Sequence, residues 1–242
     1  MDDKLQQVLH KVELLCEQNP EFASALREKL GAVAAVSNSV GAGFASAMRL
    51  QHERCRKKAR NYYREITDDA LRKDLVNYYA SMLWYKSIFE VGQYFVNVNY
   101  QVENMLNHYL SKTDFHKKVE ESPTRYCSKL EINPKYIINI DAYTYAFDKS
   151  SGERIVPSRI NSLWVKIYYW AVDTEQVGIM DKYKIYLNAI VSVRNEVNHA
   201  NSASQKQSLK YWQEQEDSLQ FAFVEAVIKQ IRKSIIELQQ TA

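Results

Sequence analysis

Arg194, Asn195, Asn198 and His199 lie within six residues at the C-terminal end of an apolar, helical stretch of the sequence. A guanidinium is a permanent cation whose planar fork binds phosphate oxygens. An imidazole has a reference pKa near neutrality, so it can accept or donate a proton. The two amides between them can orient a backbone or a phosphate through hydrogen bonds. Together these groups suit cleavage of an RNA phosphodiester by its own 2′-hydroxyl, a reaction that requires no metal ion.

The pattern Arg-Asn-x-x-x-His in a helical chain resembles the signature of the HEPN superfamily, whose active members are metal-independent RNA endonucleases. The resemblance implies a helical bundle of the HEPN type with long helices, and a homodimer in which two motifs line one cleft. Arg194 and His199 would be catalytic, with Asn195 and Asn198 in support, and the products would carry 2′,3′-cyclic phosphate and 5′-hydroxyl ends. Family members are commonly toxins or effectors of prokaryotic anti-phage, toxin–antitoxin and CRISPR-linked systems. A regulatory partner such as an antitoxin is therefore also implied.

Other interpretations of the same residues stay open. Arg194 and His199 can be ordinary surface residues near a helix C-terminus, where the helix dipole favours cations. A HEPN-like scaffold can also be a catalytically silent module that dimerises or binds a partner protein or nucleic acid. We favour catalysis because a pure scaffold needs neither the guanidinium nor the imidazole.

The composition predicts a mainly α-helical protein. Glycine and proline are scarce, at 6 and 4 residues, which disfavours an all-β or disordered chain. The formal net charge is only +3, so any nucleic-acid contact must come from a local basic patch. Cys16, Cys55 and Cys127 are scattered and odd in number, which disfavours a disulfide framework or a zinc site and favours a reducing, cytoplasmic location. We expect no metal and no cofactor.

Residues 1–48 are predicted to form an N-terminal helical cap or extension, and residues 49–242 the HEPN-like domain. Residues 31–48 carry no charge, which raises the question of a membrane span. The segment contains few large apolar side chains, however, and includes Ser37, Asn38 and Ser39. It therefore predicts a helix or hinge rather than a spanning segment, and we expect no membrane contact.

The charge pattern changes at residue 49. Seven cations but only one anion, Glu53, lie between residues 49 and 64, and Tyr62 and Tyr63 lie inside the run. Cations interleaved with aromatic residues suit a phosphate backbone with stacked bases, although charge runs are also typical of a solvated helix face. The predicted RNA-binding residues are Arg49, Arg54, Arg56, Lys57, Lys58, Arg60 and Arg64.

The elements that must position the motif follow from periodicity. Residues 68–112 predict one or two long helices, with Gly92 at a kink or junction. In HEPN-like proteins a polar residue on such a helix often touches the motif arginine, so the resemblance makes Glu103 a candidate partner of Arg194. The alternative for Glu103 is an ordinary surface carboxylate.

One segment departs from helical periodicity. Residues 136–147 are β-branched and aromatic with partial alternation, and a glycine-containing turn and residues 154–157 follow. This pattern predicts a β-hairpin inserted into the helical domain at about 136–157. A two-stranded hairpin is only marginally stable by itself, so we expect the hairpin to pack on the helices or on a second chain.

Overall fold

The computed structural model describes residues 11–12, 15–31, 40–133, 136–140, 145–148, 150–199, 207–214 and 218–241. The chain is mainly α-helical, as the composition predicts. Short 3₁₀ turns lie at Pro123–Tyr126 and Pro157–Arg159. The described helices are α1 (Pro20–Gly31), α2 (Val40–Tyr62), α3 (Asp69–Ser87), α4 (Val91–Lys112), α5 (Phe115–Glu121), α6 (Leu163–Asp173), α7 (Val177–Lys182), α8 (Lys184–His199), α9 (Gln207–Gln213) and α10 (Ser218–Thr241).

Helix α4 is the centre of the core, because α3, α6, α8 and α10 all pack against it. Its polar residues Asn97, Asn99 and Gln101 are buried together with its apolar ones. Buried polar groups need hydrogen-bond partners. The Gln101 side chain accepts a hydrogen bond from the Tyr63 hydroxyl (2.8 Å) and donates one to the Asn97 carbonyl (3.0 Å). Helix α4 is thus the scaffold that positions the other helices.

The stretch 68–112 forms two helices that meet near Gly92, where the sequence predicts a junction. Asp68 caps α3, because its carboxylate accepts a hydrogen bond from the Leu71 amide (2.9 Å). The chain turns at Phe89, which adopts a left-handed conformation (φ 56°). Helix α4 then begins at Val91, so Gly92 is its second residue.

The N-terminal helices form a small apolar cluster of their own. Leu15, Phe22, Leu26 and Ala47 are buried together, and α1 packs on α2 while α2 packs on α3. The predicted boundary between residues 48 and 49 falls inside the continuous helix α2. Within the described ranges, no helix is both long enough and apolar enough to cross a bilayer.

The structure contains an antiparallel strand pair, but it does not support the predicted hairpin. Strand β1 (Ser128–Asn133) pairs with β2 (Tyr136–Ile140). The start of the predicted first strand therefore pairs with the segment that precedes it in the chain. The predicted return strand is absent from the described residues 154–157.

Local backbone chemistry explains this difference. The expected turn forms, because the Asp148 carboxylate accepts hydrogen bonds from the amides of Ser150 (2.8 Å) and Ser151 (3.0 Å). In the described part of the segments on either side of this turn, one isolated β-bridge, Phe147 to Arg154, joins them. Helical residues 145–146 precede the bridge and a 3₁₀ turn begins at Pro157, so a ladder has no room to extend.

Candidate functional site

Helix α8 carries the motif and presents an apolar side to the core. Leu187, Ile190 and Val193 are fully buried, and α8 packs chiefly on α4. Asn195 and Asn198 are exposed. The helical period of 3.6 residues therefore gives α8 one side for packing and another for solvent, and the motif amides lie on the solvent side.

Arg194 lies at the border between these two sides. It is half-buried, and its Nη1 donates a hydrogen bond to the Asn195 side-chain oxygen (3.1 Å). Its Nε is buried and has no acceptor among the described residues. The outer end of the guanidinium thus reaches the surface, where it is held by the neighbouring amide of the motif.

His199 is the last residue of α8, and its imidazole lies outside the described part of the chain. Arg194 and His199 are on one continuous helix. A separation of five residues corresponds to roughly 140° around the helix axis. Helix geometry alone therefore does not place both side chains on one side of a single protomer.

Two residues inside the motif have structural roles that sequence reasoning did not assign. The Glu196 carboxylate accepts hydrogen bonds from the backbone amides of Ser208 (3.1 Å) and Leu209 (2.8 Å), which caps the start of α9. Val197 packs against Gly92, where an added Cβ would lie 3.0 Å from Val197 Cγ2. The end of the motif helix is therefore fixed to both α4 and α9.

Asn99 is a further site-positioning residue that the sequence did not reveal. It is 4% exposed, and its Nδ2 donates to the Ile190 backbone carbonyl (3.2 Å). Gly92 contacts Val197 while Asn99 contacts Ile190, so α4 and α8 run antiparallel. An asparagine inside an otherwise apolar helical face is the signal that could have identified this contact.

Glu103 is not the partner of Arg194. Its Oε1 accepts a hydrogen bond from Lys166 Nζ (2.8 Å), and the Lys166 side chain is fully buried. The antiparallel register explains the difference, because it places Glu103 about two helical turns, roughly 12 Å, from the level of Arg194. A single lysine within the apolar helix α6 was the sequence signal for such a pair, since a buried cation needs a counter-charge.

The seven predicted RNA-binding cations are all exposed. They lie on α2 and the turn after it, and α2 packs on α1 and α3, whereas α8 packs on α4, α7, α9 and α10. The structure therefore does not bring the basic run and the motif helix together by direct packing. Arg54 forms an ion pair with Glu21 (2.7 Å); the other members of the run are Arg49, Arg56, Lys57, Lys58, Arg60 and Arg64.

The basic run borders two separate depressions. A groove of about 500 Å³ is lined by Arg60 and Arg64 together with Arg72 and Lys73 of α3. Arg54, Lys57 and Lys58 instead line a cleft between α1, α2 and α3. Sequence reasoning missed Arg72 and Lys73, although they are adjacent cations in the first turns of a predicted helix.

The two tyrosines within the run do not serve as open stacking surfaces for bases. Tyr63 is fully buried, and Tyr62 stacks face to face on Tyr79, with ring centroids 4.4 Å apart. The guanidinium of Arg232 covers the Tyr62 ring at 4.8 Å. Both rings therefore contribute to packing between α2, α3 and α10.

No group of three or more histidine, cysteine, aspartate or glutamate residues that could hold a metal ion occurs in the described ranges. Comparisons with known proteins give no match, whether with models of protein families, with curated proteins or with solved structures.

Proposed function

We propose that the chain is a metal-independent endoribonuclease of the HEPN type that cleaves RNA through attack of the 2′-hydroxyl. The observation that carries the proposal is the position of Arg194 at the surface of the last turns of α8, hydrogen-bonded to Asn195. A permanent cation there can stabilise the charge that develops on the non-bridging phosphate oxygens. The motif residue types and spacing support the same chemistry.

His199 is the proposed acid–base group of this reaction. Cleavage requires removal of a proton from the 2′-hydroxyl and donation of a proton to the leaving 5′-oxygen. One imidazole cannot easily reach both sides of phosphorus, so we propose that two chains combine their motifs in a homodimer. Asn195 and Asn198 would orient the scissile phosphate, and the products would carry 2′,3′-cyclic phosphate and 5′-hydroxyl ends.

The cations at the end of α2, in the turn after it and at the start of α3 are the proposed contacts by which RNA is held. Arg60, Arg64 and Lys73 line a groove together with Arg72, which is paired with Asp69 of the same lining. The excess of cations suits phosphate oxygens and would act independently of base sequence. We further propose that the enzyme acts in the cytoplasm as a toxin or defence effector, under the control of a partner protein.

The test is incubation of purified protein with single-stranded RNA in EDTA, beside the variants Arg194→Ala and His199→Ala. We expect His199→Ala to slow cleavage about 10²–10⁴-fold and Arg194→Ala about 10²–10³-fold. Arg159→Ala, which removes an exposed arginine outside the motif, is the matched control and should cleave normally. A DNA strand of the same sequence should remain intact. Unchanged cleavage by both motif variants would reject the site.

A catalytically silent module that binds RNA or a partner is the second candidate. It is favoured by one observation: the basic run and the motif helix pack on different neighbours. RNA retention without any cyclic-phosphate product would support it. Loss of that retention when Arg60 and Arg64 are replaced by alanine would locate the binding surface.

A further inference from the structure

A cleft of about 890 Å³ lies between the start of α1, the middle of α2 and the end of α3. This volume is within the range of about 300–1,000 Å³ that is typical of small-molecule sites. Cationic, amide and apolar side chains from all three helices line it. A site of this kind can recognise an ionised ligand that also has hydrogen-bonding groups.

The charge of the lining favours an anion. Among the described residues that line it, four are cations and one, Glu21, is a carboxylate. Glu21 is already paired with Arg54 (2.7 Å), and Lys86 is paired with Glu225 (2.7 Å). Lys57 and Lys58 have no carboxylate partner among the residues that the structure describes, so their charge is available to a ligand.

A buried amide adds a fixed polar group to the cleft. Gln51 is 8% exposed, and its side-chain oxygen accepts a hydrogen bond from Asn19 Nδ2 (3.0 Å). Asn19 is itself held in place, because its side-chain oxygen accepts a hydrogen bond from the Phe22 amide (3.2 Å). The Gln51 oxygen is therefore occupied within the protein, and its NH₂ group remains as an oriented donor on the cleft wall.

From this geometry we infer that the cleft binds a small phosphate-bearing molecule of about mononucleotide size. The ammonium groups of Lys57 and Lys58 would contact the phosphate, and the Gln51 amide would donate to an acceptor on the rest of the ligand. Helices bound the cleft on three sides, whereas a continuous RNA strand needs a path that is open at both ends. Arg54, Lys57 and Lys58 then belong to this cleft and not to the RNA-binding run, and ligand binding here does not depend on nuclease activity.

Calorimetric titration of the full chain tests this assignment, with ATP, AMP, inorganic phosphate and a single-stranded RNA oligonucleotide as separate probes. We expect ATP and AMP to bind, and the double variant Lys57→Ala/Lys58→Ala to weaken binding at least about tenfold. Arg56→Ala is the matched control, because it removes an exposed cation from the same helix outside the cleft lining. It should change the affinity by less than about twofold.

Comparison of AMP with inorganic phosphate tells whether the cleft recognises more than the phosphate. Binding of AMP or ATP supports the inference, and binding of inorganic phosphate alone would contradict the proposed size of the ligand. Absence of binding for ATP, AMP and phosphate at millimolar concentration would overturn it. Equal weakening by Arg56→Ala would also overturn it, since the attraction would then be a property of the whole helix. The inference would also be overturned if the double variant lost RNA binding while none of the small probes bound to the wild type, because the lysines would then bind RNA. Because Lys57 and Lys58 are exposed, the variants should melt like the wild type.

Discussion

Replacement of Gly92 by alanine tests how closely the motif helix packs on α4. A Cβ at this position would lie 3.0 Å from Val197 Cγ2 and 3.4 Å from Leu209 Cδ1. Val197 is β-branched and has little freedom at χ1, so the end of α8 must move. Overpacking of this kind costs about 1–3 kcal/mol, and the gain in helix propensity offsets only about 0.5–1 kcal/mol of that. We therefore expect a net loss of about 0–2.5 kcal/mol, with a central value of about 1 kcal/mol.

Gly178→Ala is the matched control for this substitution. Gly178 also lies in a helix, α7, and no atom of the described residues outside its own helix backbone and chain neighbours is within 4 Å of the position that its Cβ would take. Only the propensity gain then remains, so Gly178→Ala should stabilise the protein by up to about 1 kcal/mol. Thermal and urea denaturation measure both variants, and for a chain of this size each kcal/mol shifts the Tm by about 2–4 °C.

A double-mutant cycle identifies the atom responsible. Val197→Ala removes the Cγ2 that the new Cβ would meet, so Gly92→Ala should cost at least about 1 kcal/mol less in that background than in the wild type. The reasoning fails if Gly92→Ala is as stable as Gly178→Ala. It also fails if the loss is the same with and without the Val197 side chain, because the strain would then not arise at this contact.

Three further predictions concern other residues. Glu196→Ala should destabilise the protein by about 1 kcal/mol, because the start of α9 loses its cap. Asn195→Ala, which changes an exposed neighbour, should have little effect on the denaturation midpoint. Equal effects of the two substitutions would contradict the capping role of Glu196. Glu103→Gln should cost roughly 3 kcal/mol because it leaves the Lys166 ammonium buried without a counter-charge, and Lys166→Met should restore most of that loss in the double variant, as measured by urea denaturation. Burial raises the pKa of Tyr62 from its ordinary value of 10.0 to about 12, so the folded state favours the neutral phenol. The contribution of this phenol to the free energy of unfolding should therefore be complete below pH 10 and fall as the pH rises through about 12, by at most about 1.4 kcal/mol per pH unit. Tyr62→Phe should make the fall of the denaturation midpoint with pH less steep.

The sequence predicted what depends on local pattern. Scarce glycine and proline predicted a helical chain, the apolar period predicted the buried side of α8, and Gly92 marked the junction before α4. The position of the turn at Asp148 was also predictable, because it depends on side-chain to backbone hydrogen bonds within four residues.

Contacts between distant parts of the chain were not predictable in the same way. Glu103 pairs with Lys166, 63 residues later. The lysine within the apolar helix α6 indicates that some carboxylate must pair with it, but nothing in the sequence around Glu103 distinguishes this carboxylate from an exposed one. The predicted hairpin failed for a related reason. Residues 136–140 have the character of a strand, but periodicity alone does not tell whether a strand pairs with the segment before it or after it.

Some residues of the motif helix have structural roles, whereas Arg194 reaches the surface, and this difference favours a functional role for Arg194. Val193, Glu196 and Val197 each have a structural role, in the core, at the α9 cap and against Gly92. Arg194 is different, because among the described residues its Nη1 bonds only to the neighbouring Asn195 and its buried Nε has no acceptor, a status that it shares with Arg232 Nε; an unsatisfied buried donor costs about 1–3 kcal/mol. The cost is explained if an anion supplied by a substrate or by a second chain completes the hydrogen bonding of the guanidinium, which is the arrangement that phosphodiester cleavage at this helix end requires.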